Sequence, residues 1–195
     1  MRNRYSSLLL VCVLYVPAFA HAGWIDRSGK PIPDEPDRKS IGEYGAWLVL
    51  TDKESQAFTN WDTPSEEVYI PSTEMVEKGK TLTALIVFSG CAADDNGNCN
   101  LLVKYKVLQP DGSVYADLPF QEAWIDKPVP TKRSLGLSIG YIQVVIEADE
   151  PIGEYTVEAT VVDRNMRKRL ELKSHFLAVE AEPKQSKALK ADPVK

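Results

Sequence analysis

The sequence predicts an all-β protein: an immunoglobulin-like antiparallel β-sandwich with one short N-terminal helix. Three observations carry that expectation. Tyr155, Val157, Ala159 and Val161 alternate with Thr156, Glu158 and Thr160, the period-two pattern of a strand with one buried face. About seven such runs of strand length are separated by turn residues, which is the spacing of a sandwich and not of alternating strands and helices. The two cysteines that remain after an N-terminal leader, Cys91 and Cys99, suit a small exported domain closed by a disulfide.

The chain opens with Arg2 and Arg4, continues through an apolar run at 8–16 and reaches Pro17, followed by the small residues Ala18, Ala20 and Ala22. A basic start, a short apolar stretch and a small-x-small site read as a secretory signal cleaved after Ala22. The run falls short of the roughly 20 residues that a membrane anchor needs. Val11 is too bulky for the position before a lipoprotein cysteine, so Cys12 is expected to leave with the leader. The organisation that follows is a signal peptide at 1–22, an extended N-terminal segment at 23–42, the sandwich at 43–179 and a disordered tail at 180–195. Pro31, Pro33 and Pro36 leave the N-terminal segment extended or loosely attached, and the tail is Lys-rich with few large apolar residues. The expected location is periplasmic or secreted, with no membrane span once the signal is removed.

Within the sandwich, residues 46–50 read as a strand and 53–61 as a short helix begun by Asp52. Residues 82–88 are almost continuously apolar and rich in β-branched side chains, as suits a central strand covered on both faces. Leu101, Val103, Tyr105 and Val107 alternate with Lys104 and Lys106, and Pro110-Asp111-Gly112 then reverses the chain. Apolar residues hold odd positions at Leu135, Leu137 and Ile139 but even ones at Ile142, Val144 and Ile146, so Gly140 is expected at a bulge or tight turn. After a polar turn at 163–168, Leu170, Leu172, Ser174 and Phe176 point inward, with Glu171, Lys173 and His175 outward. Tyr155 stands where a tyrosine anchors the corner before the penultimate strand of immunoglobulin-like folds.

The stretches Phe88-Ser-Gly-Cys91, Gln109-Pro-Asp-Gly112 and Gly153-Glu-Tyr155 resemble a group of uncharacterised exported proteobacterial proteins with an immunoglobulin-like β-sandwich domain. The resemblance spans roughly residues 44–179, nearly a whole domain of ordinary size. It implies export and fold, and no activity.

Composition and motifs narrow the chemistry. Loss of Arg2 and Arg4 takes the formal charge from −5 to −7, and an acidic protein is a poor general partner for nucleic acid. The one histidine outside the leader, His175, falls on the outward face of the last strand, which disfavours a histidine-activated nucleophile. Neither a Gly-x-Ser-x-Gly elbow nor a phosphate-cradling loop occurs, and carboxylates are too many for sequence to nominate a catalytic pair. The expectation is therefore a non-enzyme without cofactor or metal.

Cys91 and Cys99 should be bridged, at a gain of roughly 2.5 kcal/mol in the chain-entropy picture. Asp94-Asp-Asn-Gly-Asn98 has the oxygen content of a calcium loop but lacks the bidentate glutamate, and it equally satisfies an ordinary turn, which is preferred. A tight hairpin at Asn96-Gly97 would place Cys99 opposite Asp94, so the bridge favours a wider loop crossing between sheets. Trp124, in a polar Pro-flanked segment, is the candidate stacking residue among Trp24, Trp47, Trp61 and Trp124.

If 82–88, 100–108, 154–162 and 170–179 are strands B, C, F and G, the B–C loop bearing Asp94 and Asp95 lies beside the F–G loop bearing Arg164, Arg167, Lys168 and Arg169. These six are the candidate partner-binding residues. The two loops either neutralise one another, or the basic loop docks an acidic partner. The functional expectation is a non-enzymatic periplasmic or secreted interaction module that presents loops to another envelope or secreted protein. A carbohydrate-binding or enzyme-accessory domain using exposed aromatics is the alternative.

Overall fold

The computed structural model describes residues 24–26, 28–62, 69–130 and 135–181. The signal expected at 1–22 and the tail from 182 onward lie outside the described residues. Strand β4 (Thr81–Ser89) organises the rest, because every position from 82 to 88 is buried. Leu82, Ala84, Ile86 and Phe88 face the space between two sheets, whereas Leu85 and Val87 face a second apolar cluster on the outside. The continuous apolar run is thus the signature of a strand with two covered faces.

The first sheet sets β1 (Arg38–Ile41) and β2 (Tyr44–Thr51) on one side of β4, with the short β8 (Gly136–Leu137) and β9 (Ile142–Val145) on the other. The second sheet runs β3 (Met75–Glu77), β11 (Lys168–Val179), β10 (Gly153–Asp163), β5 (Asn98–Leu108). Strands β6 (Val114–Asp117) and β7 (Gln121–Pro128) share the free side of β5. The strict alternation in β5 and β10 sends Leu101, Val103, Tyr105 and Val107, with Tyr155, Val157, Ala159 and Val161, into the core between the sheets. The protein is an immunoglobulin-like β-sandwich, with one short helix among the described residues. One ladder departs from the antiparallel expectation: β3 pairs with β11 in parallel over three residues, since β3 joins the edge of β11 on the same heading before the chain enters β4 of the other sheet.

Helix α1 (Glu54–Asp62) begins one residue later than the sequence predicts. The chain turns into it through Thr51, whose Oγ1 accepts the Lys53 N–H at 3.0 Å, and not through Asp52. Phe58 and Trp61 of this helix cover Val49, Leu85, Val87 and Leu137 on the outside of the first sheet, together with Trp24, Ile32 and Trp47. The segment read as extended thus carries β1 and lays Trp24 on the sheet, where the indole Nε1 donates to the Lys39 carbonyl at 3.1 Å. The Trp47 indole donates to the Asp37 carboxylate at 3.0 Å.

Gly140 marks the change of face between β8 and β9, as the shift in apolar parity requires. Leu137 belongs to the outer cluster and Ile142 to the inner one. Leu135 and Ile139, in phase with Leu137, are exposed instead, because β8 pairs with β4 over only two residues before the chain bends. A Cβ on Gly140 would stand 2.5 Å from the Glu122 carbonyl, so only glycine lets the two backbones come this close. The Tyr155 hydroxyl donates to the Pro151 carbonyl at 2.8 Å, closing the corner before β10.

Candidate functional site

One end of the sandwich gathers the sequence-nominated residues, and its geometry starts from the disulfide. Cys91 follows the end of β4 in one sheet and Cys99 lies in β5 of the other; they are bridged with their Cα atoms 5.9 Å apart. The loop between them is the wider, sheet-crossing kind. Its tip is a tight turn: the Asp94 N–H donates to the Asn98 carbonyl at 2.8 Å and the Gly97 N–H to the Asp94 carbonyl at 3.0 Å. The Asp94 carboxylate accepts the backbone N–H groups of Asn96 and Asn98 at 2.8 and 2.9 Å. Those bonds, that of Asn98 foremost, hold its pKa below the ordinary carboxylate value. The loop is a self-satisfied turn with Asp94 turned onto its own backbone, and Asp95 is exposed.

Removing the bridge in a Cys91→Ser, Cys99→Ser double variant is expected to lower stability by about 2.5 kcal/mol, because the eight-residue separation no longer constrains the unfolded chain. Urea denaturation of the oxidised protein beside the variant measures it. Equal midpoints would show that the bridge contributes nothing.

The F–G loop, residues 164–167 between β10 and β11, is tied to that turn by a buried carboxylate that the sequence reading did not nominate. Asp163 is fully buried. One of its oxygens accepts the Ala92 N–H at 2.8 Å, and the other accepts the N–H groups of Asn165 and Met166 at 2.9 and 3.0 Å. The Asn165 amide reaches back to the Ala92 and Asn98 carbonyls at 2.9 and 3.0 Å, while the Arg164 N–H donates to the Asn100 carbonyl at 2.9 Å. Burial, and after it the Asp163 charge, push the Tyr44 phenol far above its usual range. A signal for Asp163 was present: it continues the inward series Tyr155, Val157, Ala159, Val161, and a carboxylate at a buried position must find donors.

With the two loops clipped together, Arg164, Arg167, Lys168 and Arg169 all remain exposed. Arg167 holds a φ of 53°, the left-handed region that side chains with a Cβ adopt at a cost. Arg169 pairs with Glu171 at 2.6 Å. Among the described residues, no ion pair joins this loop to Asp94 or Asp95, so the two loops are adjacent without neutralising one another at contact distance.

Trp124 lies near the same end, on β7 and paired with Leu101 of β5; just beyond β7 the Val129 N–H donates to the Gly97 carbonyl at 3.2 Å. Trp124 is half-buried, edge-on to Phe88 at 5.3 Å, with its indole N–H on the Pro128 carbonyl at 3.2 Å and the Lys127 ammonium 4.9 Å above the ring. Phe120, 47% exposed, and Tyr69, 68% exposed, are more open aromatics. His175 faces outward, 3.1 Å from the Thr156 hydroxyl and 3.7 Å from the Glu154 carboxylate. Among the described residues, no cluster of three or more His, Cys, Asp and Glu side chains is placed to hold a metal ion, and no helix is long and apolar enough to cross a membrane.

No protein-family model matches the chain, and no curated protein does either. Solved structures share its outline distantly. One is a family 123 glycoside hydrolase from Clostridium perfringens, described for glycolipid glycan hydrolysis, at 10% identity over 70% of this chain and 27% of that chain with a TM-score of 0.40. Another is the Pseudomonas fluorescens alkylpurine DNA glycosylase AlkC bound to DNA containing an abasic site analogue, at 14% identity over 55% and 28% with a TM-score of 0.33. A third is the CARDB domain of the PF1109 protein from Pyrococcus furiosus in complex with di-metal ions, at 12% identity over 55% and 81% with a TM-score of 0.34. The chain spans 27% and 28% of the length of the two enzymes. At this distance no activity or ligand carries over.

Proposed function

We propose that this protein is a non-enzymatic interaction module, exported to the periplasm or beyond, whose F–G loop docks an acidic region of a partner protein. The observation that carries the reading is the conformation of Arg167: an arginine occupies a left-handed position at an exposed loop tip, where glycine or asparagine would fit more easily. Strain kept at a tip whose base is locked by Asp163 and Asn165 is the mark of a side chain retained for contact. The surrounding charge supports it, since a basic tip on a chain of net charge −5 concentrates attraction for an anion in one place. The expected leader and the disulfide both agree with export.

The carbohydrate-binding alternative has less to rest on, because Trp124 has its edge in the core and a lysine over its ring. The test uses an Arg164→Glu, Arg167→Glu variant, which leaves the Arg169–Glu171 pair untouched. A partner is first cross-linked to Lys168 in the native envelope and purified. The variant should melt within a few degrees of the parent and associate with that partner at least tenfold more slowly at low salt. The difference should shrink as salt rises. An association rate that is unmoved across the salt series would remove the F–G loop from the interface.

A further inference from the structure

We infer that the outer face of the second sheet is a trough that binds an extended acidic peptide segment. This rests on the interaction-module reading and adds to it a second, separately testable surface. The floor is made by the outward residues of β5, β10 and β11. Register sets Lys106 opposite Glu158 and Glu158 opposite Lys173, with Lys104 opposite Thr160 one row away. Lys39 bounds the floor on the β1 side and Phe120, exposed, bounds it beyond β5; the concavity measures about 570 Å³, within the range of ligand sites.

Charge in the trough is unevenly compensated. Lys104 holds Asp117 at 2.8 Å and Arg169 holds Glu171 at 2.6 Å. Glu158, by contrast, is shared between Lys106 at 4.0 Å and Lys173 at 3.8 Å, so two ammonium groups divide one carboxylate at loose distances. Lys39 adds another cation at the wall. The result is a surplus of positive charge in a concave site on an acidic chain, where the field is focused.

The spacing of the cations selects the shape of the occupant. Strand separation places the β5 and β11 columns roughly 10 Å apart, and alternate residues within a column lie roughly 6.8 Å apart. An extended chain lying over β10 has the same repeat along each of its sides. Consecutive acidic side chains directed alternately left and right would then meet Lys104 and Lys106 of β5, in step on one side, and Lys173 of β11 on the other, where the next outward position is Glu171. A helix is about 10–12 Å across with a 5.4 Å pitch, so it would fill the trough wall to wall and fall out of register. Phe120 offers one apolar contact at the β5 side.

The probe is a fluorescein-labelled octapeptide with three consecutive glutamates in a threonine background, so that acidic side chains leave both sides of the extended chain, titrated by fluorescence anisotropy at low salt against the intact protein. Saturable binding is expected, weakened at least tenfold by Lys106→Glu with Lys173→Glu, and about threefold by Phe120→Ala. Glu158→Gln should tighten binding severalfold, since it frees Lys106 and Lys173 from the carboxylate they share. Should the charge-reversed variant melt early, Lys106→Gln with Lys173→Gln replaces it and should weaken binding at least threefold. The Arg164→Glu, Arg167→Glu variant should bind the peptide within twofold of the parent, which separates this trough from the F–G loop. No saturable binding, or binding indifferent to the lysine changes, would overturn the inference even if loop docking holds. Polygalacturonate binding through the same lysines without peptide binding would also overturn it, by naming a different occupant.

Discussion

An Asp163→Ala variant is expected to lose about 3–5 kcal/mol of stability, among the largest single-site losses in this fold. The carboxylate is fully buried and accepts three backbone N–H groups, one from the B–C loop and two from the F–G loop. Alanine leaves those donors without a partner, each at a cost of about 1–3 kcal/mol, partly recovered as the loops relax toward water. Asp163→Asn should fall between, at about 2 kcal/mol, because the amide keeps one acceptor oxygen but turns its NH₂ toward at least one donor. Denaturant unfolding gives the loss. Amide hydrogen exchange should show Ala92, Asn165 and Met166 losing protection before the strands do. A variant as stable as the parent would mean that the loops are held by other contacts, and the pre-formed docking tip would lose its basis.

Gly90→Ala is expected to be comparably severe, at about 3 kcal/mol or more, and for two separable reasons. Gly90 has a φ of 64°, so any Cβ there carries the left-handed penalty of roughly 1–2 kcal/mol. That Cβ would also collide with the backbone carbonyl of Glu43 at the turn between β1 and β2. Backbone cannot rotate away as a side chain can, so the hairpin must shift against the end of β4, adding about 1–3 kcal/mol of overpacking. Gly97→Ala isolates the first cause: its φ is 83°, yet nothing lies within 4 Å of the added atom. Its expected cost is about 1–2 kcal/mol. Thermal melts of both variants check the difference, and equal losses would show that the Glu43 contact does not matter.

Both predictions concern short polar or glycine stretches that local pattern reading passes over, and the reason is physical. Alternation in β5, β10 and β11 is legible because a strand half-covered by one core repeats every two residues whatever its neighbours are. The continuous run of β4, the parity change at Gly140 and the Tyr155 corner are legible on the same ground. The disulfide and the pairing of the B–C and F–G loops were reached by adding compartment and strand count to that pattern. Asp163 was in plain sight on the inward series of β10, but reading 163–168 as a polar turn hid the fact that its first residue is still core.

For β2, β4, β5, β10 and β11 the sequence by itself determined that the segment becomes a strand and which faces it buries, and it determined which cysteines can meet, since each of these depends on residues within a few positions of one another. Strands β1, β3 and β7 carry no such local pattern. Only the tertiary structure decided which partners those faces find. Nothing local says that Trp24, Trp47 and Trp61 cover the outside of the first sheet, because covering that face needs chain from both sides of β2. Nothing local says that β3 lies parallel on the edge of β11. The row Lys106, Glu158, Lys173 and the trough around it exist only through the register of three strands. Register is set by the whole core at once, since a slip of one residue would turn every buried side chain of a strand to water.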